Sequence, residues 1–369
     1  MKRRDISLVV LFTAFIAVMG LLTAFLPKNN ISVNEKRTLA EFPKFSVKSM
    51  FNGKWESGFE DYISDHFANR DFFAALDSYY TLYSGRNGAK GVYKGKGGYL
   101  INTPVQIDRN VLYANLSAIN DFIEKTGLKA TVIAVPTTGF EMSDKLPRNH
   151  KIYRDGDILK EIESELQGNA DFIDLILEFN HDKDGLYYKT DHHWTTEGAY
   201  RAYIDYALLK GFVLITDFDK KSYDGFYGTA YSKSALWLES PDKIDVWKYP
   251  ANVTVTINDG AEDREYDTMF FDGYLDKPDK YPVFLDGNHA FTRIVNHDSD
   301  GGKLLVLKDS YAHCLVPFLA AHYSQIDMVD LRYYLKSVSE LQNEQHYDEA
   351  LFVYGLSSLC ESGDIAILE

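Results

Sequence analysis

The sequence predicts an α/β fold on a doubly wound parallel sheet, with a β-rich insertion and an N-terminal transmembrane helix. Five short runs rich in Val, Ile and Leu alternate with helical patterns: Ala130–Val135, Phe172–Leu175, Leu304–Leu307, Ile326–Leu331 and Leu351–Tyr354. Runs this short and this apolar read as strands buried on both faces. Between about 217 and 297 the rhythm changes to isolated aromatics, Gly and Asp, as in YDGFYGTAYSKSALWLESP, which suits inserted β structure. Ahead of all this lies a run from Ile6 to Leu26 without a charge, long enough to span a bilayer.

Taken in order, Lys2, Arg3 and Arg4 precede that run. Their charge predicts an end held in the cytoplasm and a body sent outside, so residues 1–26 read as tip and anchor in the cell membrane. A cleaved signal peptide is the competing reading, but no small-x-small site precedes Pro27. Residues 27–46 are polar and Pro-bounded, a linker leaving the membrane. Residues 47–369 form the main domain, with the insertion inside it. Its first part, Val47 to Tyr83, carries Phe59, Tyr62, Ile63, Phe67 and Phe72 at helical spacings, predicting an amphipathic face packed on the body. The glycines from Gly88 onward mark turns and short strands, with Tyr99, Leu100 and Ile101 entering the core.

Composition narrows the function. The 369 residues carry a net charge of −15, and no basic cluster interrupts it, which argues against a nucleic-acid partner. Aromatic residues reach 14%, with 26 tyrosines, flat surfaces suited to sugar rings as well as to ordinary wet rims. The two cysteines, Cys314 and Cys360, show no metal-ligand spacing and no disulfide framework; they read as buried thiols, with pairing in an oxidising compartment the alternative. No cofactor motif is present, and none is expected.

The polar residues gather where open α/β sheets place their sites, at the carboxyl ends of strands. Thr137 and Thr138 follow one run, Asp309 and Ser310 another, and Arg332 and Tyr333 a third. Ser310 sits between a strand and a helical stretch, a turn that exposes its hydroxyl and aims the helix's first N–H groups at a bound oxyanion. A plain N-cap serine is the bland alternative. The block Tyr188-Lys189-Thr190-Asp191-His192-His193-Trp194-Thr195-Thr196-Glu197-Gly198 carries more weight. An acyl-transfer serine needs an imidazole to take its proton and a carboxylate to hold that ring in one tautomer. Asp191 and His193 supply both from one loop, and Thr195 or Thr196 can cap the helix that follows. A metal site is the rival reading of Asp191, His192 and His193, though no further ligand cluster accompanies them.

At these residues the chain resembles the SGNH (GDSL-like) hydrolases. HWTTEG looks like their closing block and Asp309-Ser310 like their opening block, in permuted order. That order, with TDHHW itself, is similar to the DHHW protein family and the periplasmic alginate O-acetylation proteins. NEKRTL (34–39), DHFANR (65–70), Gly91-Val92 and FLDGNH (284–289) match the same group. The resemblance implies Ser310 as nucleophile, His193 as general base and Asp191 as its orienter. It implies Arg332 as a substrate-pocket residue. Gly287 and Asn288 become oxyanion candidates, and Tyr311 and Tyr333 further candidates for oxyanion or substrate binding. It also implies an extracytoplasmic O-acetyltransferase or acetylesterase acting on a polysaccharide, with a membrane-bound O-acyltransferase as donor partner. Two features stand out: Lys308 takes the place of the glycine usual before Asp-Ser, and Asp191 and His193 lie two apart rather than three, as in the alginate proteins but unlike most SGNH enzymes. Two other functions stay open, a catalytically silent polysaccharide-binding or assembly protein and a metal-dependent phosphoesterase.

Overall fold

The computed structural model describes residues 3–166, 168–179, 183–260 and 262–368. Lys2, part of the basic tip, lies outside them. The chain divides into two units, Met1–Lys90 with Tyr231–Glu239, and Gly91–Ala230 with Ser240–Glu369.

The first unit opens with α1 (Arg3–Phe25), of which Arg4–Phe25 is long and apolar enough to cross a bilayer. The 27–46 segment contains a two-stranded hairpin pairing Ile31–Ser32 with Arg37–Thr38. Ion pairs hold it: Arg37 grips Glu35 and Asp65, and Arg70 reaches Glu35 at 2.7 Å. The Arg37 guanidinium, hydrogen-bonded to Asp65, draws that carboxyl down to about 2. The helical stretch breaks into α2 (Val47–Phe51), α3 (Lys54–His66) and α4 (Arg70–Tyr83). Most of its aromatics are part-buried and pack on one another. Phe59 and Tyr62 meet Phe42 edge-on, Trp55 stacks on Phe59, and Phe72 is 61% exposed.

The second unit is organised by an eight-stranded sheet. Its strands in chain order are β1 (Lys129–Val135), β2 (Ala170–Phe172), β3 (Val253–Asn258), β4 (Asp263–Tyr266), β5 (Phe291–Asn296), β6 (Lys303–Lys308), β7 (Gln325–Val329) and β8 (Glu349–Gly355). Their spatial order is β4-β3-β5-β7-β6-β8-β1-β2. The strands from β7 to β2 are parallel, as the apolar runs predict. The inserted strands β3, β4 and β5 pair antiparallel and extend that same sheet rather than forming a separate layer. The run at Phe172–Leu175 is strand only to Phe172. The Asp174 carboxylate accepts the Ile176 N–H at 3.0 Å and starts a short helix, Leu175–Phe179.

Helices cover both faces. On one side α5 (Arg109–Thr126) and α6 (Asp155–Glu165) bury Leu112, Leu116, Ile119, Ile158 and Ile162. The Asp108 carboxylate caps the start of α5, and Gly127 in the left-handed region ends it. On the other side α7 (Thr196–Lys210) and α8 (Ala312–Leu319) bury Ala199, Tyr203, Leu315 and Leu319. Cys314 and Cys360 are free, buried thiols in the two separate cores. Tyr99, Leu100 and Ile101 enter the core as expected.

One buried acid is poorly compensated. Glu141, at the end of the short helix Thr138–Glu141, is 1% exposed, and neither carboxylate oxygen accepts a hydrogen bond among the described residues. Lys183 Nζ lies 3.6 Å away. Burial pushes Glu141 up from 4.5 to about 7, against the pull of Lys183. Between those values the folded chain keeps a proton that the unfolded chain releases. Its stabilising effect is therefore complete below pH 4.5 and lost as pH rises to about 7. Glu141→Gln should cancel this slope, gaining ~1–3 kcal/mol over the parent between the two limits, read by urea unfolding across pH. Parallel pH profiles for the two proteins would refute it.

Candidate active site

The histidine loop is fastened before its side chains are placed. The buried Asp242 carboxylate accepts the N–H groups of Lys189 and Thr190 and the Thr190 hydroxyl, at 2.9, 2.7 and 2.6 Å. Gly228 N–H donates to Thr190 Oγ1, and Thr229 N–H to Asp191 Oδ2, at 3.0 and 2.6 Å. A Cβ on Gly228 would lie 2.2 Å from the Asp191 Cβ, so only glycine admits this approach. Trp194 is fully buried, and its Nε1 donates to the Tyr311 carbonyl at 3.1 Å. Thr195 caps α7 by accepting the Gly198 N–H, as the sequence predicts. A side chain at Gly198 would strike the Leu186 carbonyl oxygen, 2.5 Å from its Cβ.

The serine turn is fastened by Asp309. Its carboxylate accepts the Tyr311 N–H at 3.0 Å, the Gly355 N–H at 2.8 Å and the Ser358 hydroxyl at 2.7 Å. The turn is thereby pinned to the end of β8 and to the helix Leu356–Glu361. The N–H groups expected to face an oxyanion are engaged locally: Tyr311 with the Asp309 carboxylate, Ala312 and His313 with the Asp309 and Ser310 carbonyls.

These two assemblies bring three predicted residues into one line. Asp191 Oδ1 lies 2.5 Å from His193 Nδ1, and His193 Nε2 lies 2.7 Å from Ser310 Oγ. Asp191 and His193 are buried, while Ser310 is half-exposed. His193 Nδ1–H donates to Asp191, which leaves Nε2 to accept from the serine hydroxyl. Tyr311 completes the wall, its ring edge-on to His193 and its hydroxyl donating to the His192 carbonyl at 2.7 Å. Burial pushes the Tyr311 phenol up, so it acts as a neutral donor.

The sequence gives no sign of Tyr281, which stacks on the His193 ring at 4.2 Å with planes 10° apart. Its hydroxyl donates to the Ser310 carbonyl at 3.3 Å. Thr229, Gly228 and Asp242 escape sequence reading too, because a backbone donor or a remote carboxylate leaves no spacing pattern.

The remaining candidates stand one layer out. Arg332 donates to both oxygens of Asp330, at 2.8 and 2.6 Å, and to Asn288 Oδ1 at 3.2 Å. Gly287 shapes that turn in the left-handed region, and the half-exposed Tyr333 ring lies against the Arg332 guanidinium. None of Arg332, Tyr333, Gly287 and Asn288 has a described hydrogen bond to Ser310 or His193.

Lys308, in the place of a usual glycine, has a role of its own. It is fully buried, donating to Asp330 at 3.0 Å and to His313 Nε2 at 2.8 Å. Burial pulls its ammonium down, with Asp330 opposing. Burial and the Lys308 charge hold His313 neutral, consistent with an accepting ring nitrogen. Asp330 is pushed up by burial, but Arg332 and Lys308 outweigh that and keep it below the usual carboxylate range.

The metal reading meets the same geometry. Asp191, His192 and His193 each offer a ligand atom within 4.8 Å of the others. Yet both His193 nitrogens serve Asp191 and Ser310, and His192 Nδ1 is 2.6 Å from Thr229 Oγ1. The set does not fit a metal without breaking these bonds.

Comparison with known proteins agrees with the motifs. Residues 163–329 match the DHHW protein family, and residues 107–209 the SGNH hydrolase-like domain of the acetyltransferase AlgX. A DHHW family protein from Eubacterium siraeum superposes with a TM-score of 0.66 at 22% identity, covering 76% of this chain and 95% of its own. Bacillus cereus PatB1, in a structure with a sulfonyl adduct, gives 0.65 at 18% identity, covering 75% and 98%. No curated protein matches the chain. The chain is a homologue of the DHHW and AlgX-type SGNH hydrolase-like proteins, with a permuted order of blocks.

Lys308→Met should cost roughly 1–2 kcal/mol, because it removes one buried donor from Asp330, which keeps Arg332, and leaves His313 Nε2 without its donor. Urea unfolding measures this; a loss within noise would show that the network contributes nothing to stability.

Proposed function

We propose that the chain is an extracytoplasmic serine acyl-ester enzyme that moves acetyl groups to or from a polysaccharide. The line Asp191–His193–Ser310 is the observation that carries this reading. His193 Nε2 takes the Ser310 proton as Oγ attacks an acetyl ester, and Asp191 stabilises the resulting imidazolium. The leaving hydroxyl takes that proton from His193, and an acetyl-Ser310 remains. A sugar hydroxyl or a water then gives its proton to His193 and attacks the acetyl carbon; the acetyl–Oγ bond breaks and His193 returns the proton to Ser310 Oγ. Tyr311 and Tyr281 keep the imidazole ring in plane. Arg332, Tyr333, Asn288 and Gly287 belong to the substrate side.

The rest follows the same reading. Residues 1–26 anchor the chain with its body outside, residues 27–46 link, and residues 47–369 act. A membrane-bound O-acyltransferase supplies the acetyl group from the inner side. The PatB1 structure with its sulfonyl adduct suggests the probe. A sulfonyl fluoride should modify Ser310, found by peptide mass, and EDTA should leave hydrolysis of p-nitrophenyl acetate unchanged. Ser310→Ala and His193→Ala should each lose about a thousandfold or more, with little added in the double variant, because the pair acts as a unit. His192→Ala should lose only on the order of tenfold, through loop packing. Full turnover in Ser310→Ala would sink the serine mechanism, and a dead His192→Ala beside an active His193→Ala would reassign the base.

Protease added to wall-stripped cells should digest the body from outside; a protected body would overturn the topology.

A further inference from the structure

The inserted strands leave a feature the triad does not use. Alternation sends Val253, Val255, Ile257 and Ile294 into the core, and turns Thr254, Thr256, Arg293 and Val295 to the opposite face of the sheet. That face floors a trough of about 880 Å³ whose far wall is the Tyr333–Ser337 turn and one side of the helix Val338–Gln345.

Register places one end of this trough beside the candidate active site. Phe291 pairs with Val329, and Asn258 with Phe291, so these residues share the sheet end where Ser310 and Arg332 emerge. Strands β3 and β5 stand three and two places from β6, which makes the lateral reach from the serine roughly 10–15 Å. A short run of sugar rings spans that distance. The lining offers hydroxyls from Thr254 and Thr256 and an exposed aromatic face from Tyr333. Hydroxyls and flat rings are what a saccharide is recognised by.

Charge selects among saccharides. Asp259, Asp263, Glu265, Glu340 and Glu344 line the trough, against Arg293, Lys336 and His297. Arg293 is paired with Asp327 by a two-pronged bond, at 2.8 and 2.7 Å, and Asp259 with Arg264 at 2.8 Å, which leaves four carboxylates against Lys336 and His297. The trough is therefore net acidic in a chain of net charge −15, and it repels a polyanion.

We propose that this trough seats the acceptor strand, and that the strand is a glycan without anionic groups, uncharged or carrying free amines. The assignment rests on the acetyl-transfer reading and adds its substrate class. The test measures hexasaccharide binding to the full-length protein in detergent by calorimetry, using cellohexaose, chitohexaose, glucosamine hexamer and mannuronate hexamer. At least one of the first three should bind, and mannuronate should not. Thr256→Trp, which fills the floor, should weaken that binding by about tenfold or more, while p-nitrophenyl acetate hydrolysis stays within about twofold. Should Thr256→Trp unfold, the exposed pair Glu265→Lys with Glu344→Lys serves instead, and it should admit mannuronate.

No binding by the first three sugars, preference of the parent for mannuronate, or unchanged affinity in both variants would overturn the proposal. Failure of the sulfonyl label on Ser310 would strike the catalytic reading alone, since sugar binding is measured without turnover.

Discussion

The turn that carries Ser310 at the carboxyl end of the sheet hangs on Asp309. Its carboxylate is buried one residue before the serine and is spent on three donors, the N–H groups of Tyr311 and Gly355 and the Ser358 hydroxyl. Each bond fixes a different segment. The first closes the turn, the second ties β6 to the end of β8, and the third holds the helix that follows β8. A buried carboxylate without such partners would cost several kcal/mol. With them it converts the carboxyl end of the sheet into a rigid seat for Ser310. The Ser310 hydroxyl adds little packing of its own, because Asp309 carries the load of the turn.

The same solution recurs along the strand ends. Asp242 fastens the Thr190 turn, Asp155 accepts the Thr137 N–H and hydroxyl, and Asp330 gathers Lys308 and Arg332. Four acids, each satisfied by backbone donors or cations, organise four loops that the apolar core cannot shape. The Lys308–Asp330 pair is the costlier kind, two charges removed from water together. Lys308 adds reach in return. It links the strand under the serine to the strand under Arg332, a connection that a glycine at this position lacks.

Periodicity made the parallel strands legible, because Val- and Leu-rich runs of this length have few other uses. Ser310, His193 and Asp191 were legible through their neighbours, the HWTTEG cap above all. What stayed hidden was whatever acts through shape or backbone. Tyr281 is one of 26 tyrosines until folding lays it on His193. Gly228 is one of 25 glycines until Asp191 is found against it. The aromatic stretch before residue 83 shows the limit of spacing alone. Helical spacing shows that a face exists, but not what it meets, and here Phe42, Trp55, Phe59 and Tyr62 meet one another.

The permuted order of the blocks costs the site nothing, and the topology shows why. The histidine loop leaves β2 at the edge of the sheet, and Ser310 rises from β6, three strands inward. The gap is roughly 14 Å at the usual strand spacing. The chain crosses it over the ends of β1 and β8, and it is held on the way. Tyr187 donates its hydroxyl to the Pro136 carbonyl at the end of β1, at 2.7 Å, and Thr138 donates to the His192 carbonyl at 3.2 Å. Asp242 then accepts from Thr190, and Asp191 accepts the Thr229 N–H. Asp242 and Thr229 come from the insertion, later in the chain than the loop they secure. Asp191, His193 and Ser310 need only converge to form their hydrogen-bonded line. Here convergence is achieved by tethers at each strand end, so the direction in which the chain visits those ends is free to change.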